Sequence, residues 1–580
     1  MVAALVAAAT MATPSASAAE RTIWVDPVKG KDSRSGATKG QALRSLTAAW
    51  NKIPEGTPLT QPVTIMVRAG EIPASRAPNY WEKRYGTASA PITIRSADGP
   101  LRAGLPSINM FDVRHFKLDG VKIRSKFDTF HCEQCSHITL DRSAFVGIGN
   151  YKKDQGPQET IKLNQSDHIT ITDSYIAGAT DNAIDMVAVN VASIRGNTIA
   201  HALDWCTYAK GGSSDVEYIG NDVHHCGTGG ITIGQGTGFE FMRAPWLHYE
   251  AYGSRVINNV VHDTQGAALG VNGGYDILVA HNTAYRVGTR DHVLEVVYGE
   301  RSCDGNAVEC AARRALGGWG PAAPGGDAMP IGNQNVALFH NLVFNPAGVQ
   351  SQWQHFAVYQ PRATGSGGSA PDPAVADTGL LIRGNAIWNG PADLALGLGS
   401  DDQGCQPGHP TCAPDTMRAD NNINGTQPPV RVIADGIPVP TGAIAGGVGA
   451  GAALPAFDWT GLPAGQDAPV VTMPTSVATD RAGRARAGSA WAPGAYLAAP
   501  ATTAITVATS GRPGSVAVRG ASTKASKLSM VRGDWVELTA RAKPGSRFAS
   551  WGGACTGQSG PVCLVRAKGA RMTVVARFRR

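Results

Sequence analysis

The sequence predicts an all-β solenoid, a parallel β-helix, on three observations. Glycine (70) and proline (36) are abundant among 580 residues and only 17% of residues are charged, which favours turn-rich strands over long helices. Short stretches of alternating apolar residues recur: "HFKLDGVKI", "HITLDRSAF", "HITITDSYI", "VASIRGNTI", "DVEYIGNDV", "RVINNVVHD", "ILVAHNTAY", "VALFHNLVF" and "LLIRGNAIW". Each carries a turn residue in register: Gly120, Ser143, Ser174, Asn197, Asn221, Asn259, Asn282, Asn341 and Asn385, at steps of 23, 31, 23, 24, 38, 23, 59 and 44.

The shortest steps set the base period, and the longer ones mark insertions. Two or three short strands cannot bury their own apolar face, so successive units must stack. A leucine-rich repeat would need a regular Leu lattice, and a propeller blade would need about twice this period. Asn suits the turn because it tolerates left-handed backbone and its amide can pair with the Asn of the next coil.

The elements follow in chain order. Residues 1–19, "MVAALVAAATMATPSASAA", read as the end of a secretory signal, a short apolar run before the small-residue pattern Ala16 to Ala18. Residues 20–100 form an N-terminal cap and first coils, with an amphipathic helix near 42–52 that covers the open end. Residues 101–400 form the coil, with insertions at 235–252, 289–331 and 360–378, where solenoids place binding loops. Residues 401–500 close the body, and 501–580 alternate strongly enough to form a small β domain.

Ten cysteines fall into close pairs, 132/135, 206/226, 303/310, 405/412 and 555/563, as loop-closing disulfides of an oxidising compartment do. "HCEQCSH" also offers metal-ligand types, without a second cluster at zinc-finger spacing. His224 and His225 read as surface or satisfied histidines. No run approaches the roughly 18 apolar residues of a membrane span. The formal charge of +7 is uneven: positions 501–580 carry 14 Lys/Arg and two acids, net +12, so the rest is near −5. Such a basic module suits a cell wall or another anionic surface. Neither a nucleic acid nor a membrane is the expected partner.

"WVDPVKGKDSRSGATKGQALRSLTAAWNKI" resembles the entry segment, and "TDRAGRARAGSAWAPGAY" the exit segment, of secreted right-handed parallel β-helix proteins. "AKGGSSDVEYIGNDVHHCGTGGITIG" is similar to the central coils of bacterial β-helix proteins related to pectate-type polysaccharide lyases. "FASWGGAC" resembles a bacterial surface-repeat module. The resemblance implies a right-handed coil and an extracellular protein acting on an acidic, uronate-containing polysaccharide. It implies Lys210 as the Brønsted base of a β-elimination, and Asp181, Asp185 and Asp204 as ligands for Ca²⁺.

The chemistry constrains such a site. A lyase must neutralise the uronate carboxylate, place a base within about 3 Å of the adjacent proton, and assist the leaving oxygen. Lysine serves as base only if desolvation or a nearby cation lowers its pKa, so aspartates beside Lys210 call for a cation between them. If one coil separates each from the next, Asp185, Lys210 and Gln235 would form a column, with Gly211 and Gly212 admitting the polymer to the backbone. The 235–252 insertion supplies Arg243 for a carboxylate, Trp246 and Tyr249 to stack on a sugar, Tyr249 also as a proton donor, and His248 and Glu250 as further contacts. Two other functions use the same fold. A glycoside hydrolase would need two of the aspartates about 5 to 10 Å apart, and a non-catalytic glycan binder would need neither base nor acid.

Overall fold

In the computed structural model, residues 19–321, 328–365, 369–391, 393–399, 405, 409, 412–433, 437–446, 478–486, 492–519 and 526–580 are described. The expected signal segment lies almost wholly outside them.

The body is a right-handed parallel β-helix. Among the described residues its faces are three parallel sheets of 13, 12 and 10 strands. One coil shows the logic. Asp167–Thr172 lies in the first sheet, Tyr175–Ala179 in the second and Ile184–Val187 in the third, and the chain then returns to Asn190–Arg195 in the first. Inward residues stack in columns. Phe116, Ile138, Ile169, Ala192 and Val216 stand opposite one another in successive coils, all buried. The apolar face that one repeat cannot bury is covered by the next.

The expected turn ladder is present. Ser143 N–H donates to Ser174 Oγ (3.1 Å), Ser174 N–H to Asn197 Oδ1 (2.9 Å), and Asn197 N–H to Asn221 Oδ1 (3.0 Å). The chain of amides continues through Asn259, Asn282, Asn341 and Asn385, and adds Asn421, whose Oδ1 accepts from Asn385 N–H (3.0 Å). Each Asn amide also donates to a main-chain carbonyl, as Asn221 does to Ile194 O (2.8 Å), so these fully buried amides are satisfied.

The capping helix is shorter than expected, Leu46–Trp50, started by Ser45 Oγ accepting from Ala48 N–H (3.0 Å). Leu43 does not join it, because its backbone pairs with Val25 as strand. Trp50 covers the end of the core, with its ring 4.7 Å from Trp81.

Residues 501–519 and 526–580 form a two-sheet sandwich around Leu538, Trp551 and Phe578. This module docks on the outer face of the second sheet. Trp535 and Leu564 pack against Ala144, Val146, Tyr175, Ala177 and Ala200. Small residues in three adjacent strands leave a trough for the indole, whose Nε1–H donates to Asp173 O (3.1 Å). All five expected cysteine pairs are disulfides, including Cys132–Cys135, which removes those sulfurs as metal ligands. No helix is long and apolar enough to cross a membrane among the described residues.

Candidate functional site

The outer face of the third sheet gathers the expected site residues. Hydrogen-bonded register places Lys162 opposite Asp185, Asp185 opposite Tyr208, and Tyr208 opposite Thr232. The steps from 162 to 185 and from 185 to 208 each equal the base period. A second column runs Asn164, Val187, Lys210. The column expected from Asp185, Lys210 and Gln235 is therefore corrected. It assumed two steps of 25, where the coil takes 23 from Asp185 to Tyr208 and 24 from Tyr208 to Thr232. The first error, of two, shifts a side chain to the next outward position of the strand, and the second puts Gln235 one residue past the strand Gly229–Gly234.

Lys210 ends the strand Trp205–Lys210 and is half-buried. Its Nζ donates to Gln235 Oε1 (2.8 Å) and lies 4.3 Å from the centre of the Tyr208 ring. Gln235 Nε2 in turn donates to Asp204 Oδ2 (3.4 Å). Asp204 and Asp181 occupy adjacent turns, with Asp204 N–H donating to Asp181 O (3.1 Å). Burial raises the Asp181 carboxyl above its ordinary range, and Asp204 and Asp185 raise it further. Among the described residues Lys210 is in no ion pair, so its amine is not committed to a carboxylate.

The neighbouring lysine is in the opposite condition. Lys162 Nζ donates to Glu159 Oε1 (2.9 Å) and to Asp185 Oδ2 (3.3 Å). Burial opposes its charge, but Asp185 and Glu159 outweigh burial and hold the ammonium above its ordinary value. Two carboxylates share this one cation. Burial, reinforced by Asp185, pushes Glu159 up to about 7. Tyr208 is raised by burial and by the neighbouring Asp185 carboxylate. Lys162, Glu159 and Tyr208 were not singled out from the sequence. The signal was there: Lys162, Asp185 and Tyr208 are spaced by the base period itself. Toward the N-terminal end the face continues into a cleft of about 420 Å³ lined by Asn109, Asp128, His131 and Gln158.

The 235–252 insertion folds over one edge of this face. Arg243 is exposed and donates to Gln165 O, two strands below the Lys210 level. Phe241 O accepts from Gln165 Nε2 (3.0 Å) at the same point. Trp246 leans on Tyr252, ring centres 4.9 Å apart. Its carbonyl presses on Gly212, where a Cβ would stand 2.1 Å from Trp246 O, at φ +80°. The two glycines therefore admit the chain's own loop, where a polymer was expected.

Three insertion residues, Glu250 and His248 expected as substrate contacts and Tyr249 as a stacking residue and proton donor, are built into the framework of the loop. Glu250 is fully buried and ion-paired to the equally buried Arg301. Its Oε2 accepts from Gly211 N–H (3.0 Å) and Thr237 Oγ1–H (2.6 Å), so it fastens the loop beneath the lysine. His248 bonds Gly317 O (3.1 Å) and packs edge-on against Trp319, with burial lowering its pKa to about 4. Tyr249 sits among Tyr252, Tyr275 and Trp319, where burial raises its hydroxyl pKa and makes it a poorer proton donor.

Calcium requires ligand oxygens about 2.3–2.6 Å from one ion, hence within about 5 Å of each other. Among the described residues Asp181, Asp185 and Asp204 do not form a group whose ligand atoms all lie within 4.8 Å. Asp185 is also nearly buried and engaged by Lys162. As placed, the trio does not fit a single calcium ion.

A family described as "Right handed beta helix region" matches residues 107–308. No curated protein matches the chain. Among solved structures, a rhamnogalacturonan lyase is similar at 12% identity and TM-score 0.35, covering 63% of this chain and 87% of that one. A pectate lyase is similar at 10% identity and TM-score 0.32, covering 73% and 93%. A lacto-N-biosidase from Eubacterium ramulus is similar at 10% identity and TM-score 0.33, covering 56% and 64%.

Proposed function

We propose that the protein is a secreted polysaccharide lyase that cleaves a uronate-containing polymer by β-elimination, with Lys210 as base. The observation that carries this reading is the contrast between two lysines on one face. Lys162 is locked between carboxylates, whereas Lys210 is held by the neutral Gln235 amide at the edge of an acidic group. An amine that takes a proton must begin without one, and a carboxylate partner would keep it charged. Gln235 orients Nζ without adding charge. In the reaction Nζ takes the proton next to the uronate carboxylate, the new double bond forms in the ring as the C–O bond breaks, and the leaving glycosidic oxygen takes a proton from water. Arg243, exposed at the rim, is the cation available for a substrate carboxylate. The five disulfides fit an oxidising compartment outside the cytoplasm.

The test is ultraviolet absorbance of unsaturated uronate. Pectate, alginate, glucuronan and glycosaminoglycans are each incubated with the protein, with calcium and with chelator. We expect absorbance to rise on one polymer, and Lys210→Ala to lower the rate by about 10²–10⁴ with the melting temperature unchanged. An unchanged rate in that variant sinks the assignment, and loss of signal in chelator would return calcium to the aspartates. A hydrolase is the second reading, favoured by the raised carboxyl of Asp181, the condition of a general acid. It predicts new reducing ends without absorbance. Retention of polymer with neither product would mark a binder.

A further inference from the structure

A second cluster of ligand-type side chains lies on the outer face of the second sheet, apart from the lysine face. Asp222 and His224 are two apart in the strand Asp222–His224, so both point outward. The next strand brings His262 opposite His224. The two rings lie 4.7 Å apart at 24°. His262 Nε2 is 3.2 Å from Asp222 Oδ1, and His224 Nε2 is 4.0 Å from Asp222 Oδ2. Ligand atoms of all three residues fall within 4.8 Å of one another.

We propose that Asp222, His224 and His262 form a site for a divalent transition metal of the zinc class. Three further observations support it. Both imidazoles present Nε2 to the carboxylate, and each has its Nδ1 held from behind: His262 by Asp263 Oδ2 (2.7 Å), His224 by His225 Nδ1 (2.7 Å). That outer layer is what fixes ring orientation in histidine metal sites. The donors are two nitrogens and one oxygen, which suit zinc and its neighbours and not calcium or magnesium. The group is sheltered, with Asp222 3% and His262 2% exposed. The nearby guanidinium groups pair with carboxylates other than Asp222, Arg481 with Asp534 and Arg286 with the outer-layer Asp263.

In a tetrahedral zinc site neighbouring ligand atoms stand about 3.3 Å apart, so the 4.0 Å gap closes by under about 1 Å. Metal entry replaces the His262–Asp222 hydrogen bond with two metal bonds and releases the proton it carried. Three protein ligands leave one position for water. The ion would tie two coils at the seam where Tyr496 of the closing segment and Val531 of the C-terminal module pack on Val260.

The test uses the full chain, stripped with chelator and titrated with Zn²⁺ by calorimetry, with metal content read by mass spectrometry. We expect one equivalent bound, lost in His224→Ala. His225→Ala, which leaves all three ligands in place, should weaken binding at least tenfold without abolishing it, whereas abolition would overturn the assignment by moving the ion to the overlapping group of His225, His262 and Asp263. This variant carries the test should His224→Ala fail to fold. His168→Ala serves as control, because His137, Asp167 and His168 form another donor group within 4.8 Å on the first sheet. No stoichiometric uptake overturns the proposal. So does uptake unchanged in both His224→Ala and His225→Ala, or uptake abolished by His168→Ala alone.

Discussion

At the scale of single residues, one proton decides the charge of the candidate site. Glu159 and Asp185 share Lys162, and Glu159 is the member pushed up, to about 7. Between about 4.5 and 7 the native chain holds a proton there that the unfolded chain has released. The Glu159 contribution to stability therefore falls as pH rises through that window, by up to about 3 kcal/mol, and is constant above it. Glu159→Gln should flatten the slope, and denaturant midpoints measured from pH 4 to 8 would show it. A lyase rate should also bend near neutrality in the wild type and not in this variant. Identical slopes in both proteins would remove Glu159 from the account. How much of the site was legible in the sequence also turns on single residues. Lys210, Gln235 and Asp204 do form one hydrogen-bonded chain. Lys162 and Tyr208 escaped notice because outward positions on a strand differ only by register, and counting back from Lys210 with too long a step hid the true coil. Glu250 misled because nothing local distinguishes a buried, paired glutamate from a solvated one.

At the scale of the element, the asparagine ladder and the insertion carry the predictions. Asn221 accepts from Asn197 N–H and Nδ2–H and donates to Ile194 O and Asn259 Oδ1. Asn221→Ala takes these partners from the buried Asn197 N–H and Ile194 O, while Asn197 Nδ2 keeps Ile171 O and Asn259 Oδ1 keeps the backbone N–H of residue 221. We expect about 1–3 kcal/mol lost for each group that water cannot reach, read from denaturant unfolding. The ladder was legible because its chemistry is local, an amide at a left-handed turn, and its spacing repeats. The insertion was legible only as a place. Its docking depends on Gly212 meeting the Trp246 carbonyl, a contact between separate segments of the chain. Gly212→Ala should dislodge the loop, with about 1–3 kcal/mol of backbone strain in addition to the collision. Proteolysis within 239–250 would accelerate, and unchanged cleavage would refute the clamp. The short capping helix is a related case, where helical periodicity in 42–45 yields to a strand pairing at Leu43.

At the scale of the whole molecule, the C-terminal module is part of the body. Composition revealed its charge and alternation, but not that Trp535 would lie against strands from the first half of the chain. Trp535→Ala should raise hydrogen exchange in Ala144–Gly147 and Tyr175–Ala179, at a cost of about 3–5 kcal/mol to the module's docking. Protection left unchanged would show that the interface does not depend on the indole. Docking leaves Arg547, Arg571, Arg577 and Arg579 exposed. We propose that these hold an anionic wall polymer. Reversing Arg571, Arg577 and Arg579 to Glu should abolish salt-sensitive retention on such a polymer, measured by co-sedimentation, while leaving any lyase rate on soluble substrate unchanged.

The asparagine ladder bears on how such a molecule can be altered. Asn259 and Asn282 are 23 apart in the chain, Asn282 and Asn341 are 59 apart, and the two rungs have the same bonds at 2.9–3.0 Å. The column counts turns of the coil and is blind to the length of chain between them. Whatever leaves the stack after one rung and returns before the next is free to change in size and content. The insertions are therefore ports on a fixed chassis, and a loop grafted between Gly238 and Glu250, with Gln235, Glu250 and the strand Ala251–Tyr252 kept, would change what the lysine face meets without disturbing the columns behind it.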